Sequence, residues 1–126
     1  MKKTFAALAV LGLLAACSPT SGDPAKTAKT SKGDALVDTK GMTLYTYDKD
    51  SDGKSACTGP CATNWPPLAA SGDAKAKDSY TVISRDDGGK QWAYKGKPLY
   101  TFAKDKSAGD VTGDGAADGA WHVAQP

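Results

Sequence analysis

Glutamate is absent from the 126 residues, and histidine occurs once, at position 122. No stretch after Asp34 repeats its apolar residues with a 3.6-residue period, which excludes a helical bundle. His122 is thus the only side chain placed for acid–base work near neutral pH. There is no apolar run longer than the twelve residues Phe5–Ala16, broken only by Gly12. Twelve residues reach about 18 Å as a helix, short of the ~30 Å of a bilayer core, so no membrane-spanning helix is expected. A basic surplus is also missing: the chain carries a net charge of +2, and from Asp34 onward the balance is −2. A nucleic-acid partner is therefore not expected. No Cys-x-x-Cys-His occurs, so covalent c-type haem attachment is excluded.

What is present begins with an address. Met1-Lys2-Lys3 is a positive n-region and Phe5–Ala16 the apolar stretch of a signal peptide. Leu14-Ala15-Ala16-Cys17 resembles the lipobox of bacterial lipoproteins. The resemblance implies cleavage after residue 16, lipid on Cys17 and a membrane partner reached through that lipid. Ser18 rather than Asp after the Cys implies the outer membrane if the host has one. Residues 17–33 then read as a lipidated Cys and flexible tether with no side chain suited to a core beyond Ala. Residues 34–126 remain for one small domain.

Setting Cys17 aside leaves Cys57 and Cys61 as an even pair in an oxidising compartment. The Gly-Pro turn inside Cys57-Thr-Gly-Pro-Cys61 folds the chain back, and a disulfide closing a small loop is expected. A redox dithiol usually has two intervening residues rather than three. That role, or a soft-metal site, is the alternative.

The chain also repeats itself. Lys40–Asp50 aligns with Lys95–Asp105 at an offset of 55 and shares seven of eleven residues, and Trp65 falls within one residue of where Trp121 would lie. Two half-domains are expected, repeat one at about 34–68 and repeat two at about 80–126, joined by the Ala/Lys/Asp-rich 69–79. Ala35–Asp38 and Gln91–Tyr94 lead into Lys-Gly turns followed by Thr43–Tyr47 and Pro98–Phe102, which predicts a hairpin in each half. Tyr45 and Tyr47 share a face of their strand, as do Tyr100 and Phe102. Tyr80–Ser84 and Trp121–Val123 read as further strands, with a turn at Asp86–Gly89. Trp65-Pro66-Pro67-Leu68 lacks two N–H donors and is expected to be an extended segment pinning Trp65 into the core. The fold class is mainly β: a small, loop-rich antiparallel domain of two hairpin-containing repeats.

Tyr45-x-Tyr47-x-x-Asp50 and Tyr100-x-Phe102-x-x-Asp105, with Trp65-Pro-Pro-Leu68, Arg85…Gly89…Gln91 and Gly96-Lys-Pro-Leu-Tyr100, resemble the bacterial lipoprotein family with the Tyr-x-(Phe/Trp/Tyr)-x-x-Asp motif, a secreted repeat of unknown function. The resemblance implies a secreted or lipid-anchored β-rich repeat and brings no enzymatic activity or cofactor.

Asp50 and Asp105 sit at the same place in both repeats, where a carboxylate accepting backbone N–H bonds is expected. Asp48-x-Asp50-x-Asp52-Gly53 also opens like a calcium loop, although position twelve is Gly59 rather than Glu. Asp110, Asp114 and Asp118 form a second acidic, glycine-rich loop. A copper set of Met42, Cys57, Cys61 and His122 is chemically permitted but has no supporting spacing. His122 alternates with Trp121 and Val123, so it should face solvent, and no nucleophile stands near it in sequence. Most of the aromatic residues are expected to be buried, because a core this small needs them. The sequence therefore reads as a non-catalytic binding or structural module of the cell envelope, with an unidentified envelope partner. The alternative is a redox or metal-handling protein using Cys57 and Cys61.

Overall fold

The computed structural model describes residues 24–126. The signal peptide, Cys17 and the first part of the tether lie outside the described residues. The chain runs through β1 (Lys26–Thr30), β2 (Gly33–Val37), β3 (Tyr45–Tyr47), α1 (Pro60–Asn64), β4 (Tyr80–Ser84), β5 (Lys90–Tyr94), β6 (Lys97–Pro98), the short helical turn α2 (Ala116–Gly119) and β7 (Trp121–Val123). All pairings are antiparallel: β1 with β2, β3 with β7, and β4–β5–β6 in a three-stranded sheet.

β1 corrects the tether boundary. Residues 26–30 pair with β2, Lys26 opposite Val37 and Thr30 opposite Gly33. Thr27 and Thr30 suit a strand, and Gly33 takes a φ of 90° to close the turn. Composition alone hid this, since β1 exposes most of its side chains and borrows its partner from β2. Ala25 is nonetheless buried at 6% exposure, so a small side chain suffices to enter the core. The folded domain starts at about residue 24 rather than 34.

Tyr80–Ser84, Gln91–Tyr94 and Trp121–Val123 form as predicted, whereas Thr43–Tyr47 shortens to β3 and Pro98–Phe102 keeps only the β6 residue Pro98 and isolated bridges at Tyr100. β4 carries the β-branched Thr81, Val82 and Ile83, and β5 alternates buried Gln91 and Ala93 with partly exposed Trp92 and Tyr94. Asp86–Gly89 is the turn between them: Arg85 N–H reaches Gly89 O, and Gly89 N–H reaches the Asp87 carboxylate. Lys95 and Gly96 both take positive φ, 52° and 85°, as a two-residue hairpin turn of the type I′ class requires.

The two expected repeats are present but interlocked, because each lends its closing segment to the other. β7, the end of repeat two, pairs with β3 of repeat one, and Leu36 N–H reaches Ala124 O. In mirror fashion, Leu68 N–H reaches Leu99 O, Trp92 N–H reaches Leu68 O and Thr101 N–H reaches Pro66 O. Repeat-one residues 66–68 thus serve as a strand of repeat two, with Leu68 supplying the donor that the prolines lack. At the centre, Tyr45 and Tyr100 exchange backbone bonds in both directions, N···O 2.7 and 3.0 Å. These pairs define an approximate two-fold relation between the repeats.

The main core cluster lies on that relation. Trp65 and Trp121 stack at 3.8 Å with their planes 3° apart. Phe102 stacks on the outer side of Trp65 at 4.0 Å and Tyr47 on Trp121 at 4.1 Å. The result is a four-ring column drawn alternately from the two repeats. A second cluster gathers Ala25, Leu36, Leu44, Leu99 and Ala124, with Leu68, Tyr80 and Tyr94 leaning on it.

Gly113 sits against this column. A Cβ there would come within 2.6 and 2.8 Å of the Trp65 ring and 3.0 Å of Phe102, both held by stacking. Gly113→Ala should therefore destabilise the protein by about 1–3 kcal/mol, the range for overpacking. Gly72→Ala, with nothing within 4 Å of the added carbon, should change stability by less than about 0.5 kcal/mol. Urea unfolding of the two variants measures the difference, and equal stabilities would contradict the packing described.

Candidate functional site

The repeated Tyr and Asp residues meet across the repeats, not within them. Tyr45 Oη donates to Asp105 Oδ2 at 2.6 Å, and Tyr100 Oη donates to Asp50 Oδ2 at 2.7 Å. The second oxygen of each aspartate takes the next loop: Ala56 N–H reaches Asp50 Oδ1 at 2.6 Å, and Thr112 N–H reaches Asp105 Oδ1 at 3.0 Å. Turn geometry brings each Asp into position, since Asp50 N–H returns to Tyr47 O and Asp105 N–H to Phe102 O. The expected role of these carboxylates, accepting backbone N–H bonds, is what the structure shows, with a tyrosine added from the other repeat.

Burial pushes the Tyr45 and Tyr100 hydroxyls well above the ordinary tyrosine range, and the carboxylate beside each adds to the effect. Burial likewise raises Asp50 above the usual carboxylate range, although the Ala56 N–H, the Tyr100 hydroxyl and the Arg85 charge all oppose it. Asp87 and Asp110 are held low, the first by the Arg85 guanidinium and the second by the N–H groups of Lys106 and Ser107.

One half of the molecule elaborates this plan. Arg85 is 5% exposed; its guanidinium bonds Ser55 Oγ (3.0 Å), Gln91 Oε1 (2.9 Å), Cys57 O (2.7 Å) and the Asp87 carboxylate (2.9 Å). Ser55 Oγ also meets Tyr100 Oη at 2.6 Å, and Gln91 Nε2 reaches Leu99 O. The planar fork matches four acceptors at once, which a lysine ammonium could not do. The sequence offered two signals for this network: Arg85 is the only arginine in the chain, and Arg85 and Gln91 stand together in the Arg85…Gly89…Gln91 motif. Ser55 and Asp87 gave none.

Cys57 and Cys61 are joined as a disulfide, Cα–Cα 5.2 Å, as expected. Cys57 is fully buried beside Trp65, while Cys61 lies in the first turn of α1. Repeat two has Gly113 where Cys57 would align, and its N–H reaches Tyr45 Oη instead. With both sulfurs bonded to each other, the copper set of Met42, Cys57, Cys61 and His122 does not assemble. Among the described residues no group of three or more His, Cys, Asp or Glu side chains converges as a metal site. Of the calcium candidates, Asp50 is engaged as above, Asp48 Oδ2 lies 2.9 Å from His122 Nε2, and Asp52 lies against Gly96. Asp110 accepts from Lys106 and Ser107, and Asp114 from the Val123 N–H. These carboxylates are distributed among loop N–H groups and single side-chain partners.

The shared positions being taken up internally, open chemistry lies in a cleft of about 460 Å³ lined by Thr46, Asp48, Tyr94, Lys95, Lys97 and His122. His122 is solvent-facing, as its alternation with Trp121 and Val123 predicts. The repeat equivalents of Asp48 and His122 are Ala103 and Pro66, so this polar pair exists on one side only.

The profile of a family described as a secreted repeat of unknown function matches residues 26–69 and 81–125. The chain belongs to that family. The two matched segments of this secreted repeat are the two interlocked units seen in the fold, and the first starts at β1. No curated protein and no solved structure matches the chain significantly. No helix among the described residues is long and apolar enough to cross a membrane.

The paired tyrosines make a directional prediction. Their folded-state values lie above the unfolded value of 10, so above pH 10 the unfolded chain loses protons that the native state keeps. Stability present below pH 10 should then fall by about 1.4 kcal/mol per pH unit for each tyrosine until its folded value is passed. Denaturant titration between pH 9 and 11.5 should show this loss, with Tyr45→Phe and Tyr100→Phe each removing about one proton from the slope. An unchanged slope in both variants would refute the assignment.

Proposed function

We propose that this secreted repeat is a lipid-anchored module of the cell envelope, held through Cys17, that binds a partner and has no catalytic activity of its own. One observation carries the reading. The Tyr and Asp residues repeated in both units bond to each other across the repeats, and the one-sided cleft around Asp48, His122, Lys95 and Lys97 offers a place for an external contact. Lipid on Cys17 and, in a host with two membranes, location at the outer one follow from the lipobox and from Ser18. The alternative is an envelope redox or metal-handling protein using Cys57 and Cys61. Burial of Cys57 and the Arg85 bond to its carbonyl favour a structural bridge over one that exchanges.

Two variants test this. Cys17→Ser should lose radiolabelled fatty acid completely and leave the membrane fraction, because serine cannot form the thioether; retained label would overturn the anchor. Replacing Cys57 and Cys61 together by Ala should lower stability by about 2 kcal/mol, the chain-entropy value for so small a loop, with the fold preserved. Loss of a bound metal or of thiol-exchange activity in that variant would favour the alternative.

A further inference from the structure

One face of the β4–β5 hairpin carries a row of partly exposed aromatic side chains. Tyr80 stands opposite Tyr94 and Val82 opposite Trp92, so these four side chains share one face of the pair. All four are partly exposed, whereas Gln91, Ala93 and Ile83 on the other face are buried. The rings form a row: Tyr80 to Tyr94 at 4.9 Å and Tyr80 to Trp92 at 6.5 Å, edge-on. Lys95 lies over the Tyr94 ring with Nζ 5.2 Å from its centroid. Repeat one has no counterpart, since Leu36 and Asp38 stand where Trp92 and Tyr94 align; Leu36 is buried and Asp38 accepts from the N–H groups of Lys40 and Met42. The duplicated fold does not require aromatics at these positions.

The point where the described chain begins indicates what this face meets. Ala25 is buried in the cluster of Leu36, Leu44, Leu99 and Ala124, and Tyr80 and Tyr94 lean on that same cluster. Ala124 and Tyr94 both line the 460 Å³ cleft with Lys95 and Lys97. The N-terminal segment thus joins the domain beside the aromatic row. Six residues, Ser18–Asp23, separate Cys17 from Pro24, and the seven steps between them span at most about 25 Å. A lipid on Cys17 therefore holds this side of the molecule next to the bilayer.

We propose that the Tyr80–Trp92–Tyr94 face, rimmed by Lys95 and Lys97, docks on the surface of a membrane containing anionic lipids. Tyrosine and tryptophan present an apolar body and a polar tip, the combination that settles at the headgroup level. Exposed lysines at the rim attract anionic headgroups over about 8 Å at physiological salt. Asp48, the acidic group in the same cleft, already faces His122. The domain would then lie against the bilayer instead of swinging at the end of its linker. The inference rests on the lipid-anchor reading, and the test separates the two.

The full mature lipoprotein is reconstituted into vesicles of phosphatidylcholine alone or with 30% phosphatidylglycerol, with and without brominated acyl chains. Flotation reads the anchor, and quenching of tryptophan emission by bromine reads the face, with Trp92 as the partly exposed reporter and Trp65 and Trp121 in the core. Flotation with both lipids is expected, with bromine quenching at least twofold greater in the anionic vesicles. Trp92→Phe should abolish that quenching, and Lys95→Gln with Lys97→Gln should reduce it to the neutral-vesicle level. All three changes should leave flotation intact. Protein that floats but shows no bromine quenching, or quenching that survives Trp92→Phe, overturns the docking face alone. Protection of β4–β5 amides from hydrogen exchange that grows with protein concentration instead of with anionic lipid would assign the face to a second copy, and also overturns it. Failure to float overturns the anchor, and the docking inference with it.

Discussion

Two hydrogen bonds that cross between the repeats, Tyr45 to Asp105 and Tyr100 to Asp50, set the terms for the rest of the molecule. Each tyrosine is fully buried, and a buried hydroxyl without a partner costs about 1–3 kcal/mol. Each aspartate also fastens the loop that follows it, through Ala56 or Thr112. The two repeats must therefore fold together, because either one alone would leave one tyrosine and one carboxylate short of their partners. The exchange of closing segments, residues 66–68 in one direction and β7 in the other, is the backbone expression of the same dependence.

Where the two units depart from their shared plan, the differences are informative. The loop after Asp50 is fixed by the Cys57–Cys61 disulfide and by Arg85 reaching into Ser55 and the Cys57 carbonyl. The loop after Asp105 uses glycine, with the Gly113 N–H on Tyr45 Oη and no side chain between Trp65 and Phe102. Both solutions close the same space around the four-ring column, one by covalent bridging and one by close backbone approach. The Asp48–His122 pair and the Tyr80–Trp92–Tyr94 row have no repeat equivalent and no part in this closure.

Much of this was legible before the structure. Strand chemistry at Tyr80–Ser84, Gln91–Tyr94 and Trp121–Val123, the Lys-Gly turns and the burial of Trp65 all follow from local residue types. The self-similarity of Lys40–Asp50 and Lys95–Asp105 identified the tyrosines and aspartates that matter. It could not show that the bonds run between repeats, because sequence offset records kinship and not pairing. β1 was missed since Lys26–Thr30 has the composition of a linker and becomes a strand only against Gly33–Val37. Asp48, Asp50 and Asp52 spelled a calcium loop in one dimension. The flanking backbone turns the three carboxylates to different partners, among them His122, 74 residues away.

A double-mutant cycle on folding stability tests the cross-repeat bonds most directly. Tyr45→Phe combined with Asp105→Asn should show a coupling of about 1–3 kcal/mol, as for a hydrogen bond to a charged group. Tyr45→Phe combined with Asp50→Asn, two positions of one repeat that share no bond, should be additive within about 0.5 kcal/mol. A coupling between Tyr45 and Asp50 as large as that between Tyr45 and Asp105 would contradict the reciprocal arrangement.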